Sequence, residues 1–342
     1  MKIIIDAMGG DNAPLEIVKG ALQGQKRWGV DIVLTGDTTA ILKAMEACGE
    51  KTLPKGVEIA HAEEVVEMCD DPATVFRRKK NSSMALGLNM VKDGKGDAFV
   101  SAGSTGALLT GATLIVKRVR GIRRAAMGPA FPNKAGGKTV ILDCGANAEC
   151  TPEFLLQFGL VGSLFAKKSL GIENPKVGLL NIGTEDSKGT PLQKEAYVML
   201  QKAHDRGLIN FVGNVESRDV PLGAVDVVVC DGFSGNVLLK GIEGTAMFMG
   251  SLMSKMFKKN LLSKIAALLV MKDIKAFKKM LDYREIGGTQ FLGIKKAVIK
   301  AHGSSDALAF RNAIRQAEEA AKADFSAELE QQLAKMKESS DD

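Results

Sequence analysis

What most constrains this chain is a rhythm. Short apolar runs of strand length alternate with longer segments of helical spacing: KIIID before a helix over Leu15 to Trp28, DIVLTG before Thr39 to Cys48, VEIAH before Pro72 to Lys92, and DAFVS before Thr105 to Arg118. It resumes with KTVILD from Lys138 and a helix from Pro152 to Leu170, then KVGLLN from Lys176 and a helix from Pro191 to Asp205, INFVGN, and DVVVCD from Asp226. Strand, helix, strand in this order predicts a parallel α/β sheet, because a parallel neighbour can be reached only by a long crossover. A long helical stretch follows Gly232, and residues 255–288 are expected to protrude. With no Pro/Ser-rich linker and no tandem repeat, a second lobe would have to be an insertion into one continuous sheet, so residues 1–342 read as a single α/β/α domain.

Several of these strands end in a loop rich in glycine and small polar residues. Asp6 leads into AMGGDNAP, Ser101 into AGSTGA, Asp143 into CGANAE, Asn181 into IGTEDSKGTP and Asp231 into GFSGNV. Parallel strands place such loops together at their carboxyl ends, where open α/β sheets bind ligands. In DAFVSAGSTGA, Ser101, Ser104 and Thr105 supply hydroxyls, Gly103 and Gly106 let the backbone approach a ligand, and a helix start offers free N–H groups. The same residues also serve as an ordinary N-cap and turn. Repetition of the pattern at five strand ends is what favours a site, since glycine costs stability wherever packing does not require it.

Several chemistries are absent from the sequence. Neither GxxxxGK[ST] nor a GxGxxG after the first strand occurs, nor HExxH, nor a GxSxG elbow, for which Ser234 in GFSGN is only a loose match. His61, His204 and His302 are scattered, and five cysteines without CxxC spacing predict reduced thiols and no metal. No cofactor is expected. The start MKIIIDAMGGD reads as a first strand and not a signal peptide, which predicts a cytoplasmic protein. What remains is anion chemistry. Lys188, between the glycines of the fourth loop, suits a phosphate or a developing oxyanion, or is a solvated loop lysine; His302, in AHGSSD, is an acid, a hydrogen-bond donor or a structural histidine. Cys144 and Cys230 lie at loop junctions, where inert buried thiols are the commoner case.

The net charge of +6, from 46 basic and 40 acidic residues, does not call for nucleic acid, but its distribution is uneven. Arg77, Arg78, Lys79 and Lys80 form one basic run, and Lys117, Arg118, Arg120, Arg123 and Arg124 a second, either solvated faces or docking surfaces for an acidic partner. From Lys255 to Lys279, eight lysines (255, 258, 259, 264, 272, 275, 278 and 279) surround IAALLVM. Leu261, Leu262, Ile265, Leu268 and Leu269 recur there at helical spacing. Seven apolar residues cannot span a bilayer, so the segment is an interfacial membrane element or a hairpin packed on its own core or a dimer mate.

Taken together, DAMGGD, SAGSTGA, DCGAN, IGTED with Lys188, DGFSGNV, DYREIGG (282–288) and HGSSD (302–306) resemble the bacterial phosphate acyltransferase family, in this order over nearly the whole chain. The resemblance implies a three-layer α/β/α Rossmann-like fold related to phosphotransacetylases and isopropylmalate dehydrogenases. It implies transfer of an acyl group from acyl carrier protein to inorganic phosphate, giving acyl phosphate for phospholipid synthesis. A homodimer is implied as well, attached peripherally to the inner face of the cell membrane and passing its product to a downstream glycerol-3-phosphate acyltransferase. On that reading Lys188, His302, Asp231 and Asn147 are catalytic. Asp6, Gly9, Asn12, Ser101, Gly103, Ser104, Thr105, Asp143, Thr184, Glu185, Ser234 and Asn236 bind phosphate or pantetheine. Arg77, Arg78, Lys79, Lys80, Lys117 and Arg118 dock the carrier, and the five leucine and isoleucine positions above touch the membrane. Two alternatives stay open: a dehydrogenase of the isopropylmalate type with Asp231 or Asp6 as metal ligands, and a non-enzymatic carrier-binding membrane scaffold.

Overall fold

A computed structural model describes the backbone of residues 1–338. The side chains of residues 278–281, 283, 337 and 338 lie outside the description, Lys278 and Lys279 of the lysine-rich segment among them. The chain opens with β1 (Lys2–Asp6), α1 (Leu15–Trp28), β2 (Asp31–Gly36), α2 (Thr38–Ala47), β3 (Val57–His61), α3 (Val75–Arg78), α4 (Ser83–Lys92), β4 (Ala98–Ser101) and α5 (Thr105–Gly111). A π-helical turn over Ala112–Val116 leads to β5 (Ala126–Met127), β6 (Ala130–Pro132), β7 (Lys138–Leu142), α6 (Pro152–Leu170), β8 (Lys176–Asn181), α7 (Pro191–Asp205), β9 (Asn210–Glu216) and β10 (Val227–Val229). The rest is α8 (Gly232–Lys258), α9 (Leu261–Leu269), α10 (Met271–Leu281), α11 (Tyr283–Ile286), β11 (Gly288–Leu292), β12 (Ala297–Ala301), α12 (Ala307–Ala323) and α13 (Ser326–Glu338).

The strands do not form one continuous sheet. Seven of them make a first sheet in the order β3-β2-β1-β4-β12-β11-β5, and five make a second in the order β6-β7-β10-β8-β9. The second is an insertion: the chain leaves the first sheet at β5, builds β6 to β10, and returns as β11 and β12. The return is fixed by parallel pairing of β12 with β4, which sets Lys300 opposite Ser101. The crossing point is short. β5 pairs antiparallel with β11 at the edge of the first sheet, and three residues later β6 pairs antiparallel with β7 at the edge of the second. The central strands are apolar on both faces, as in Ile3, Ile4 and Ile5, because helices cover both sides of a parallel sheet.

One helix expected from the sequence is split and another is shortened. The segment Pro72 to Lys92 is broken between α3 and α4, where Lys79 is drawn inward. Its ammonium donates to the Val65 carbonyl at 2.8 Å and to Asp70 at 2.6 Å, and Ser82 caps a new helix on the Ala85 N–H. The segment Thr105 to Arg118 is α-helical only to Gly111; its π-turn stops where Lys117 takes a φ of 75°, outside any right-handed helix. α8 buries only Gly232 and Gly235, both at its start, and α9 buries nothing.

Candidate active site

Each sheet contributes one buried carboxylate that ties its loops together. In the first sheet Asp6, at the end of β1, accepts from the Ser101 and Ser83 hydroxyls at 2.7 Å each and from the Met8 amide at 3.3 Å. Ser101 in turn accepts the Gly103 N–H at 3.0 Å. Gly9 closes this knot: a Cβ there would sit 2.5 Å from the Asp6 carboxylate and 2.8 Å from the Gly103 nitrogen, so only glycine fits. Burial pushes the Asp6 carboxyl above the usual range, against the pull of these donors.

The second sheet repeats the design. Asp143, at the end of β7, accepts from the amides of Met127 (2.8 Å), Cys144 (2.6 Å), Ala146 (3.3 Å) and Asn147 (2.5 Å), and from the Asn147 side chain at 3.0 Å. Asn147 also donates to the Ala125 carbonyl at 2.9 Å. Since Met127 is in β5, this carboxylate bonds the loop after β7 to the edge of the first sheet. Burial again raises the Asp143 carboxyl. α8 starts against the same loop. Asp231 caps it on the Ser234 amide and holds the Ser234 hydroxyl, both at 2.8 Å, and a Cβ at Gly235 would land on the Asp143 carbonyl oxygen.

The placement of the sequence-predicted residues therefore separates into two groups. Asp6, Ser101, Gly103, Asp143 and Asn147 spend their hydrogen bonds on one another and on backbone, and hold the loops in shape. Ser104 is a buried N-cap of α5, with its hydroxyl 3.5 Å from the Ala107 amide, while Thr105 beside it is half-buried. Towards solvent lie Asn12, Asn236, His302, Thr184, Glu185 and Lys188. Asn12 donates to the Ser304 and Ser305 carbonyls at 3.2 Å each, and the Asp11 amide to Gly303 at 2.8 Å, so the loop after β1 carries the one after β12. There His302 Nδ1 meets the Ser304 hydroxyl at 2.8 Å. Lys188 sits on the exposed loop after β8, whose backbone is fixed by Asn181 donating to the Lys188 carbonyl at 3.1 Å. Of the docking run, Arg77, Arg78 and Lys80 are exposed and Lys79 is not, being paired with Asp70. Lys117 is exposed, and Arg118 bonds the Arg123 carbonyl.

Two side chains matter that the sequence did not single out. Lys300, only 8% exposed, lies in β12 and donates to the Ala102 carbonyl at 3.1 Å and to the Ala301 carbonyl, directly under the β4 loop. Burial brings its ammonium down to about 8, opposed by the nearby charges of Asp11 and Asp6. A lysine in an apolar strand gives no periodic signal of its own. Arg284 clamps Asp282 at 2.7 Å and Asp306, the cap of α12, at 3.2 Å, joining the DYREIGG and HGSSD segments. The thiols are unsuited to nucleophilic work: burial and the Asp143 charge push Cys144 to about 12, and burial pushes Cys230 well above its ordinary value. Among the described residues no cluster of three or more His, Cys, Asp or Glu side chains is placed to hold a metal ion.

Two sheets joined edge to edge, with their carboxyl-end loops knotted by paired carboxylates, define an α/β protein of the phosphotransacetylase fold. A phosphotransacetylase from Streptococcus pyogenes superposes with a TM-score of 0.63 at 19% identity, covering 94% of each chain. A 4-hydroxythreonine-4-phosphate dehydrogenase from Klebsiella pneumoniae does so with a TM-score of 0.56 at 12% identity, over 94% of this chain and 99% of the other. The family model described as "Fatty acid synthesis protein" matches residues 1–328. Phosphate acyltransferase from Alkaliphilus oremlandii is 49% identical over 318 residues, 93% of this chain and 92% of that protein. The Clostridioides difficile phosphate acyltransferase is 44% identical over 316 residues, 92% and 91% of the two chains. The chain belongs to the phosphate acyltransferase family.

Proposed function

We propose that this member of the phosphate acyltransferase family draws its acyl group from the thioester of acyl carrier protein and releases acyl phosphate for phospholipid synthesis. One observation carries the reading. His302, just after β12 of the first sheet, lines the same cavity as Lys240 and Glu243 of α8, the helix that starts at the end of β10 in the second, so elements attached to both sheets face one space. That is what a two-substrate reaction needs, because most of its barrier is lowered by holding phosphate against the thioester carbonyl.

Inorganic phosphate attacks the carbonyl carbon, the tetrahedral oxyanion collapses, and the carrier's pantetheine leaves as thiolate. Phosphate is already nucleophilic at neutral pH, so no strong base is required. We assign charge stabilisation of the oxyanion to Lys188, contacts to phosphate to Thr105 and the backbone at Ser104, and hydrogen bonds to substrate to Asn12, Thr184, Glu185, Asn236 and His302. Asp6, Asp143, Asn147 and Asp231, with Gly9, Ser101, Gly103 and Ser234, position these groups. Two exposed surfaces fit the further partners. Arg77, Arg78 and Lys80 suit an acidic carrier protein, since opposite charge raises encounter rates. Leu261, Leu262, Ile265, Leu268 and Leu269 are all exposed on α9, which suits the interfacial contact of a cytoplasmic enzyme with a membrane and with a downstream acyltransferase there. Among the described residues no helix is long and apolar enough to cross a bilayer. The uncovered Met247, Phe248, Met249 and Leu252 of α8 suit a homodimer contact. The whole works as a single catalytic unit.

The test is phosphate-dependent release of free thiol from an acyl carrier thioester. Lys188→Ala is expected to cut turnover by roughly 100-fold or more, the usual loss when one oxyanion partner is removed. Near-normal turnover would refute the assignment of Lys188, and thiol release independent of phosphate would refute the reaction.

A further inference from the structure

Near the ends of three neighbouring strands the first sheet carries a polar row: Asp6 on β1, Ser101 on β4 and Lys300 on β12. All three share a face with Ile4, Phe99 and Val298, two positions earlier in each strand, which pack in one apolar cluster with Leu108 of α5. Ser101 donates to Asp6, and parallel register places Lys300 beside Ser101. The Lys300 ammonium turns instead to the loops. It donates to the Ala102 carbonyl at 3.1 Å and to the Ala301 carbonyl, and so fastens the β4 loop, which carries Ser104 and Thr105, to the backbone just before His302. Gly10 of the β1 loop fills the same junction, where a Cβ would lie 2.9 Å from the Ala102 side chain and 3.0 Å from the Gly303 carbonyl oxygen. Lys300 is left only 8% exposed. Two of the three N–H donors of its ammonium are spent, and among the described residues it makes no ion pair. Asp11 and Asp6 act on it only as nearby charges, and Asp6 already accepts from Ser83, Ser101 and the Met8 amide.

We propose that Lys300 is a positioning residue for phosphate: its ammonium sets the β4 loop against the His302 loop and supplies the positive charge that draws the anion to them. The inference rests on the acyl transfer to phosphate proposed above and adds the group that fixes phosphate affinity. A buried charge without a counter-charge is costly, and a methionine would fill the same space without that cost. Bound phosphate supplies the missing counter-charge, and burial keeps solvent and salt from screening the attraction. Lys300 acts through the Ala102 and Ala301 carbonyls and through its field, while contact with substrate stays with the residues assigned above. The charge is also pH-dependent. Burial holds the ammonium at about 8; the charges facing it are Asp6 on β1 and Asp11 on the loop that follows, and its register neighbours Ser101 on β4 and Thr289 on β11 are neutral. Phosphate must therefore bind more weakly as the pH rises through about 8 and the proton is lost, whereas the thioester, which is neutral at its reacting end, gains nothing from this charge in the ground state.

The experiment measures thiol release from an acyl carrier thioester by the full-length protein, with phosphate and thioester varied separately at pH 7, 8 and 9, for wild type, Lys300→Met and Lys300→Gln. At pH 7 Lys300→Met should raise KM for phosphate by roughly tenfold or more, the usual worth of an interaction with a charged group, and leave KM for the thioester within about twofold. Lys300→Gln keeps N–H donors for the two carbonyls but no charge, and should show the same rise. From pH 7 to 9 the wild-type KM for phosphate should climb about tenfold relative to that of either variant, a ratio in which the ionisation of phosphate itself cancels. The wild-type pH series carries the test should a variant fail to fold. Equal changes in the two KM values overturn the proposal, since a merely structural role disturbs both substrates. So does a wild-type KM for phosphate in Lys300→Gln, which would make hydrogen bonding alone sufficient, and so does a phosphate KM that follows the same pH course in wild type and variants. Failure of the wild type to release thiol when phosphate is added strikes the proposed reaction instead, which keeps the two failures apart.

Discussion

Lys300 offers a quantitative check on the electrostatics under the β4 loop. Its ammonium is held at about 8 in the folded protein, chiefly by burial, whereas an exposed lysine stays near 10.5. Below about 8 the side chain is protonated in both states, and the folded protein carries the whole cost of burying the charge, on the order of 3 kcal/mol at about 1.4 kcal/mol per tenfold change in proton affinity. Between about 8 and 10.5 the unfolded chain binds more protons than the folded one, so stability rises with pH through that window as the cost is relieved. Lys300→Met removes the titration. It also removes the hydrogen bonds to the Ala102 and Ala301 carbonyls, an offset that does not vary with pH. The stability of wild type relative to Lys300→Met should therefore improve by about 1 kcal/mol from pH 7 to 9 and by about 2.5 kcal/mol by pH 10. Urea unfolding of both proteins at pH 7, 8, 9 and 10 measures the difference directly, and groups common to both cancel. A difference that stays constant over this range would show that Lys300 is not held deprotonated by burial, and the reasoning would fail.

Three shorter predictions follow from the same geometry. Gly235→Ala drives a methyl group into the Asp143 carbonyl and should destabilise the fold by about 2 kcal/mol or more, seen as a lower urea midpoint; an unchanged midpoint would mean that α8 does not start against the β7 loop. Cys144→Ala should keep phosphate-dependent thiol release within about threefold of wild type, because a thiol pushed to about 12 supplies almost no thiolate at neutral pH. Its loss in a folded variant would reinstate a covalent acyl-thiol step. Exchange of two exposed leucines for charge, Leu261→Glu with Leu262→Glu, should reduce co-flotation with anionic liposomes by tenfold or more, while undiminished flotation would place membrane contact elsewhere.

The division of labour among the site residues shows where sequence reading stops. Asp6 and Ser101 are 95 positions apart, yet the Ser101 hydroxyl donates to the Asp6 carboxylate at 2.7 Å. Read locally, each ends a strand and faces a glycine loop, which is equally the pattern of a ligand contact; only the register of β1 beside β4 turns the pair inward. The same holds for Asp143, whose donor from Met127 arrives with the antiparallel edge of the other sheet. Lys79 shows the reverse case. Within a run of four basic residues it reads as one more surface charge, but Asp70 and the Val65 carbonyl draw it in and split the helix expected there.

What the sequence determined by itself was what depends on near neighbours: the alternation of strand and helix, the glycine loops at strand ends, the cap at Ser104, and the apolar stripe with lysines beyond Asn260. These are set by backbone sterics, short-range hydrogen bonds and side-chain period, all local in the chain. The tertiary structure alone decided that the strands part into two sheets, because β12 returns across some two hundred residues to pair with β4. It alone buried Lys300 under the Ala102 carbonyl. And it alone opened the cavity that His302 shares with α8, since a cavity is bounded by elements whose approach no single segment encodes.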